Sequence, residues 1–95
     1  VDSIIIGNGT LISDNVAIVD NSHNHNNSMS SSDTELDCAP ILIGKNVTIY
    51  RNSTILAGSV LSNDVVVAAN SVVKGTFPDN VLIGGAPAKV LKKLV

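Results

Sequence analysis

Two histidines, His23 and His25, are the residues of this 95-residue chain best suited to move a proton. The ordinary pKa of an imidazole lies near neutrality, so the ring can take up and release a proton at physiological pH. The same two side chains fall short of the three protein ligands of a catalytic zinc site, and the single cysteine, Cys38, has no zinc-like spacing around it. We therefore expect no metal site, and a histidine in this Asn- and Ser-rich stretch is either a proton-transfer group or a solvated turn residue.

The basic residues are all in the second part of the chain. Residues 1–44 contain six acidic residues and no Lys or Arg, whereas residues 45–95 contain all six basic residues and two acidic ones. A small basic region favours a compact anionic ligand, although a merely solvated surface is the alternative. The net charge of −2 does not suit a nucleic-acid-binding domain, and no apolar run reaches the length of about 18 residues that a membrane span needs.

A six-residue repeat determines where these residues can lie. Its first position is a branched aliphatic residue in every block: Ile6, Ile12, Ile18, Ile43, Ile49, Ile55, Leu61, Val67 and Val73. The fifth position is small or β-branched, and Asn, Asp and Gly dominate the third and fourth positions. This pattern fits a short strand followed by a tight turn, because Asn, Asp and Gly tolerate the φ angles of such turns.

Three strand-and-turn units make one triangular coil, and successive coils stack as parallel strands about 4.8 Å apart. One aliphatic anchor per strand then points to the axis. The interior is narrow, which explains why Tyr50 and Phe77 are the only aromatic residues. We predict a single all-β prism over residues 1–95, and the start at Val1 leads us to expect the C-terminal part of a longer chain.

Two segments interrupt the repeat. Residues 24–42 are rich in Asn and Ser, and we predict an extruded loop there. Residues 86–95 are predicted to form a short helix that caps the prism, with Pro87 in its first turn and lysines in its last.

The motifs IGKNVTIYRNSTILAGSVLSNDVVVAANSVVKG and PDNVLIGGAPAKVLKK resemble the C-terminal half of the hexapeptide-repeat acyltransferases. The galactoside and maltose O-acetyltransferases and the polysaccharide O-acetyltransferases are the most similar groups. The resemblance implies a left-handed parallel β-helix, an exception to the right-handed crossover rule. It also implies a cytoplasmic homotrimer, with sites between prisms, that transfers an acetyl group from acetyl-CoA to a hydroxyl of a sugar or surface-polysaccharide precursor.

The same resemblance assigns the site residues. The catalytic histidine of the family precedes the loop, at the position of His23, and would accept the proton of the sugar hydroxyl and then protonate the departing thiolate. His25 is expected to be a loop residue, and Asp20 either orients the His23 ring or is a plain turn residue. The CoA-binding positions are Arg51, Ala69, Lys74, Lys89 and Lys92. Ala69 would act through its backbone and the lysines through the CoA phosphates, unless the lysines only solvate the terminal element.

The chain departs from the family pattern in two places. Thr48-Ile49-Tyr50 stands where many relatives have Trp-Ile-Gly, so Tyr50 is a candidate replacement for the aromatic residue near the CoA arm, and Lys74 lies one position early. The acceptor-contacting residues of the family lie upstream of the position matching Val1. An amino-sugar N-acetyltransferase and a non-catalytic β-helix scaffold remain alternatives. A γ-type carbonic anhydrase would need a third metal ligand.

Overall fold

The computed structural model describes residues 4–19 and 39–94. The predictions for His23, His25 and Asp20, and for most of the loop 24–42, lie outside these residues. The described residues form twelve β-strands. They are β1 (Ile4–Ile6), β2 (Leu11–Ile12), β3 (Ala17–Ile18), β4 (Ile41–Ile43), β5 (Thr48–Ile49), β6 (Thr54–Ile55), β7 (Val60–Leu61), β8 (Val66–Val67), β9 (Val72–Val73), β10 (Thr76–Phe77), β11 (Val81–Gly85) and β12 (Ala88–Lys93).

The strands form the three faces of a prism. Sheet 1 has the order β1-β4-β7-β10, sheet 2 the order β12-β11-β8-β5-β2, and sheet 3 the order β3-β6-β9. All pairs except β11–β12 are parallel. Because each strand pairs with the third strand along the chain, three strand-and-turn units make one coil, as the repeat predicts.

The register of the sheets confirms the repeat at every anchor. In sheet 1, Ile6 pairs with Ile43 and Ile43 with Leu61, although the segment that the repeat omits lies between the first two. Strand β4 begins at Ile41, so the last two residues of the predicted loop 24–42 belong to the strand. The extra residues therefore interrupt the sequence of the coil and leave the stacking of its strands intact.

The core is a column of these anchors. Ile49, Ile55, Val67 and Val73 are fully buried, and the fifth-position residues Val47, Ser53, Ser59, Val65 and Ser71 are buried at the corners. In the first described coil, by contrast, Ile6 and Ile12 are each 42% exposed, because a coil packs on one side of them only. Burial of an anchor thus depends on a coil on either side.

The corners use residues with positive φ, as predicted. Asn15, Asn52 and Asn70 have φ angles of 59°, 62° and 63° and form one row along the prism, at the corner where sheet 2 turns into sheet 3. A second row contains Asn46, Asp64 and Asn80, and the third corner uses Gly58. Asn and Asp tolerate this left-handed conformation better than other residues that carry a Cβ.

The predicted terminal helix over residues 86–95 is wrong. Strands β11 and β12 form an antiparallel hairpin, and Ala86 and Pro87 make its turn. A helix of so few residues is marginal by itself, and it would leave the backbone groups on one edge of β11 without partners. Strand β12 supplies those partners, so the end of sheet 2 is capped by a strand instead.

Candidate functional site

A groove of about 520 Å³ lies at the corner between sheets 2 and 3. The turns that follow β2, β5 and β8 form it, one turn from each coil. Its lining residues are Ser13, Asp14, Tyr50, Arg51 and Ala69. The volume is in the range of small-molecule binding sites.

Backbone hydrogen bonds between coils hold these turns in register. The Asn52 amide donates to the Asp14 carbonyl at 3.1 Å, and the Asn70 amide donates to the Arg51 carbonyl at 3.0 Å. Asp14, Arg51 and Ala69 therefore occupy the same position of three stacked turns. Adjacent members of this row are separated by about one strand spacing, 4.8 Å.

The groove has a charged part, formed by Asp14 and Arg51, and an uncharged part, formed by Tyr50 and Ala69. Asp14 and Arg51 are both exposed and stand in neighbouring turns, so a carboxylate and a guanidinium line the same wall. Tyr50 is 48% exposed and presents the only aromatic ring of the groove. Ala69, in the next turn, is exposed and contributes a side chain of one methyl group to the groove.

A second row of residues, next to that of Asp14, Arg51 and Ala69, runs across sheet 2 to β12. Ile12, Ile49, Val67 and Ile83 are register partners, so the residues that follow them, Ser13, Tyr50, Ala68 and Gly84, form the next row. Lys89 pairs with Gly84 and ends that row. At Gly84 a Cβ atom would lie 3.1 Å from the Ala68 Cβ, so the absence of a side chain allows β11 to approach this corner closely.

Three of the five predicted CoA-binding residues are thus brought to one corner. Arg51 and Ala69 line the groove, and Lys89 lies at the end of the adjoining row. Lys92 pairs with Leu82, further back along the hairpin. Lys74 follows β9 and lies at the corner between sheets 3 and 1.

Sequence reasoning missed two lining residues, Ser13 and Asp14. The repeat contains the signal that would have found them, because the register Ile12–Ile49 makes Ser13 and Asp14 the equivalents of Tyr50 and Arg51 in the first described coil. Within residues 4–19 and 39–94, no three His, Cys, Asp or Glu side chains are close enough to hold a metal ion. None of the described segments is a helix long and apolar enough to cross a membrane.

Comparisons with known proteins connect this chain with acetyltransferases. WbbJ of Escherichia coli (strain K12), which is assigned to lipopolysaccharide biosynthesis as an O-acetyl transferase, is 41% identical over 101 residues; the match covers 98% of the chain and 52% of WbbJ. A hexapeptide-repeat acetyltransferase from Vibrio cholerae O1 biovar eltor, complexed with acetyl-coenzyme A, superposes with a TM-score of 0.86 and 34% identity over 97% of the chain and 50% of its own.

A galactoside acetyltransferase in complex with coenzyme A superposes with a TM-score of 0.89 and 29% identity, covering 97% of the chain and 46% of its own. No family model matches the chain. The sequence and structure matches nevertheless agree along nearly its whole length. The chain is a left-handed parallel β-helix of hexapeptide repeats and belongs to the hexapeptide-repeat acetyltransferases. The proteins it matches include sugar and lipopolysaccharide O-acetyltransferases, and it spans about half the length of these relatives.

Proposed function

We propose that the protein transfers an acetyl group from acetyl-CoA to a hydroxyl of a sugar or surface-polysaccharide precursor. The observation that carries the proposal is the corner groove with Arg51 and Ala69, in a chain that is 34% identical to a structure complexed with acetyl-coenzyme A. The 41% identity to WbbJ supports the polysaccharide acceptor class. A cytoplasmic location stays a prediction.

The residues of the groove fit the chemistry of CoA. Arg51 supplies a guanidinium that can bind a phosphate through two hydrogen bonds, and Lys89 adds a second cation at the end of the row. Ala69 leaves room for a slender pantetheine arm to approach the backbone. The exposed Tyr50 ring offers an apolar surface beside that path, as a replacement for the family's aromatic residue.

We assign the proton transfer to His23, on the strength of its position before the interruption of the repeat. The imidazole takes the proton of the acceptor hydroxyl while that oxygen forms a bond to the thioester carbonyl carbon. The carbon–sulfur bond then breaks, and the imidazolium gives its proton to the departing thiolate. His25 is not required for either step.

We further propose that the protein is a homotrimer. The outer face of sheet 1 carries the apolar row Ile5, Leu42 and Val60, of which Ile5 is 57% and Leu42 40% exposed. The outer face of sheet 2 carries a second row, Leu11, Thr48, Val66 and Leu82. In the described strands of sheet 3 the outward residues are the smaller Ala17, Thr54 and Val72, and Val19 and Leu56 follow the anchors of this sheet. Two different apolar faces on one prism suit a head-to-tail ring, in which sheet 1 of one copy packs against sheet 2 of the next.

Such a ring accounts for Lys74, one of the two predicted CoA residues that lie apart from the groove. A neighbour packed on sheet 2 would stand beside the groove, because the groove lies at the edge of that sheet. Lys74 lies at the corner that borders sheet 1, the opposite face of the same interface. We therefore propose that Lys74 of one copy and Arg51 of its neighbour bind one CoA molecule.

The experiment is to assay the full-length protein for CoA binding by calorimetry and for thiol release from acetyl-CoA with a panel of acceptors. We expect the protein to bind CoA and to transfer the acetyl group to a hydroxyl of a sugar or oligosaccharide. Transfer only to amino sugars would make the protein an N-acetyltransferase. Absence of CoA binding would favour the scaffold alternative and contradict the proposal.

A further inference from the structure

Two buried serines converge on one backbone carbonyl beneath the groove. The Ser71 hydroxyl donates to the Ala68 carbonyl at 2.7 Å, and the Ser53 hydroxyl donates to the same oxygen at 3.0 Å. Both serines are 0% exposed. Each hydroxyl also accepts a hydrogen bond at 3.3 Å, Ser53 from the Ser71 amide and Ser71 from the Gly85 amide. The Ala68 carbonyl is therefore fixed toward the interior of the prism.

This fixes the direction of the next amide group. In a planar trans peptide the carbonyl and the following N–H point in opposite directions. Since the Ala68 carbonyl points inward, the Ala69 N–H points outward, at a residue that lines the groove. In the part of the chain that the structure describes, this N–H has no acceptor. Ala69 is exposed, and its side chain is a single methyl group.

The neighbouring turns of the same corner lack this arrangement. Arg51 has the position equivalent to Ala69, but the Ser53 hydroxyl of its own turn bonds to Ala68 in the next coil. In the first described coil the equivalent fifth-position residue is Val16, which has no hydroxyl. Among the described turns of this corner, only that of Ala68 and Ala69 has its carbonyl held by two hydroxyl groups.

We propose that Ser53 and Ser71 are positioning residues that hold the Ala69 N–H as a preorganised donor in the groove. Its acceptor is an amide carbonyl oxygen in the arm of the acyl carrier, which the pantetheine part of CoA contains. The inference rests on the proposed function, because it assumes that CoA binds in this groove. It adds that affinity for CoA depends on two side chains that cannot touch the ligand.

A comparison of Ser53→Thr with Ser53→Val separates the effect of the hydroxyl group from the effect of packing. The two side chains differ only in that threonine has a hydroxyl group where valine has a methyl group. Thr10, at the same position of the repeat, shows that a threonine there reaches a carbonyl of the next coil, with 3.0 Å to Gly44. We expect Ser53→Thr to keep the Kd for CoA. Ser53→Val should raise it by about threefold to tenfold, the loss of about one hydrogen bond. In kinetics the KM for acetyl-CoA should rise while kcat stays constant.

Ser59 provides the matched control. It is equally buried and donates to the Leu56 and Val73 carbonyls, at 2.7 and 3.1 Å, away from the residues that line the groove. Ser59→Val should lower the unfolding midpoint about as much as Ser53→Val does, and it should leave the Kd for CoA unchanged. If Ser53→Val does not fold, Ser71→Ala removes the other hydroxyl with a smaller change of shape.

Ala69→Pro tests whether the serines act through the amide. Asn70 has the positive φ of the third residue of a type II turn, and the second position of that turn accepts proline. The substitution deletes the N–H and should raise the Kd, whereas Asn8→Pro, before Gly9 at another corner, should not. In the Ala69→Pro background, Ser53→Val should have no further effect on the Kd.

The outcomes distinguish this inference from the proposed function. CoA binding that is equal in Ser53→Thr and Ser53→Val would overturn the positioning role and leave the proposed function standing. An undiminished effect of Ser53→Val in the Ala69→Pro background would also overturn it, since the serine would then act by another route. If the wild-type protein binds no CoA, both proposals fall.

Discussion

At the scale of single residues, the proposed CoA-binding residues and the proposed base rest on different grounds. Arg51, Ala69 and Lys89 are brought together by the stacking of turns and by the β11–β12 hairpin. His23 is assigned by its place in the repeat and by the family, and it lies outside the described residues. The two groups therefore need different tests, one of affinity and one of rate.

Substitution of the proposed base should affect the rate. His23→Ala is expected to lower acetyl transfer by about 10²–10⁴-fold, which is the usual contribution of a positioned acid–base group. The Kd for CoA should change little, because the lost interaction is made mainly in the transition state.

His25→Ala, two residues away, is the control and should retain most of the activity. Steady-state assays of both variants of the full-length protein with the true acceptor decide between them. An inactive His25→Ala together with an active His23→Ala would show that the repeat assigns the wrong imidazole.

Substitution of the groove cation should affect affinity. Arg51→Ala is expected to raise the Kd for CoA about tenfold at low salt, because a charge-assisted contact to a phosphate is lost. The difference from wild type should shrink as the salt concentration rises and screens the remaining charges.

Lys45→Ala is the matched control for Arg51→Ala. Lys45 is an exposed cation in the same coil and at the same turn position, but it lies at another corner. Calorimetric titrations should find CoA binding by this variant unchanged. Equal weakening by Arg51→Ala and Lys45→Ala would mean that net charge, and not the groove, determines the affinity.

At the scale of elements, each two-residue strand is held by its neighbours above and below. Ile55 is 0% exposed, and its register partners are Ile18 and Val73 in the coils on either side. A strand this short has little stability of its own, so the stacked anchors provide most of it.

Removal of one anchor should therefore be costly. Ile55→Ala is expected to lower the free energy of unfolding by about 2–5 kcal/mol, from lost burial and from the cavity that remains. Thr54→Ala, at the adjacent outward-facing position, should cost far less. Chemical denaturation gives both values. A loss below about 1 kcal/mol for Ile55→Ala would be inconsistent with a close-packed column.

At the scale of the whole molecule, the prism presents unlike faces to its surroundings. Sheets 1 and 2 carry rows with large aliphatic residues outward, and the outward strand residues of sheet 3 are the smaller Ala17, Thr54 and Val72. An exposed row of aliphatic side chains on a stable fold marks an interaction surface.

The proposed trimer predicts that a charge introduced on sheet 1 separates the subunits, whereas a charge introduced on sheet 3 does not. Light scattering of the wild-type protein should give three times the mass of one chain. Leu42→Glu, in the apolar row of sheet 1, should dissociate the trimer and weaken CoA binding, because the neighbour's wall of the site is lost. Thr54→Glu on sheet 3 should do neither. A monomeric wild-type protein that binds CoA with full affinity would contradict the shared site.

The sequence by itself determined the coil, its register and the family. The coil and its register follow from a period of six residues, which is a local property that needs no knowledge of distant contacts: the nine anchors from Ile6 to Val73 all lie in strands at the predicted positions. Resemblance to known sequences supplied what periodicity does not contain, namely the family, the left-handed sense of the coil and the predicted CoA-binding positions.

Tertiary structure alone decided two further points. Residues 86–94 lack the six-residue period, and local preference suggested a helix around Pro87. The unpaired edge of β11 made a strand more favourable, because pairing satisfies its backbone groups. The direction of the Ala69 N–H likewise depends on Ser53, which is one coil away in space and sixteen residues away in sequence. Hydrogen bonds between coils set that direction, and no local pattern of residues encodes it.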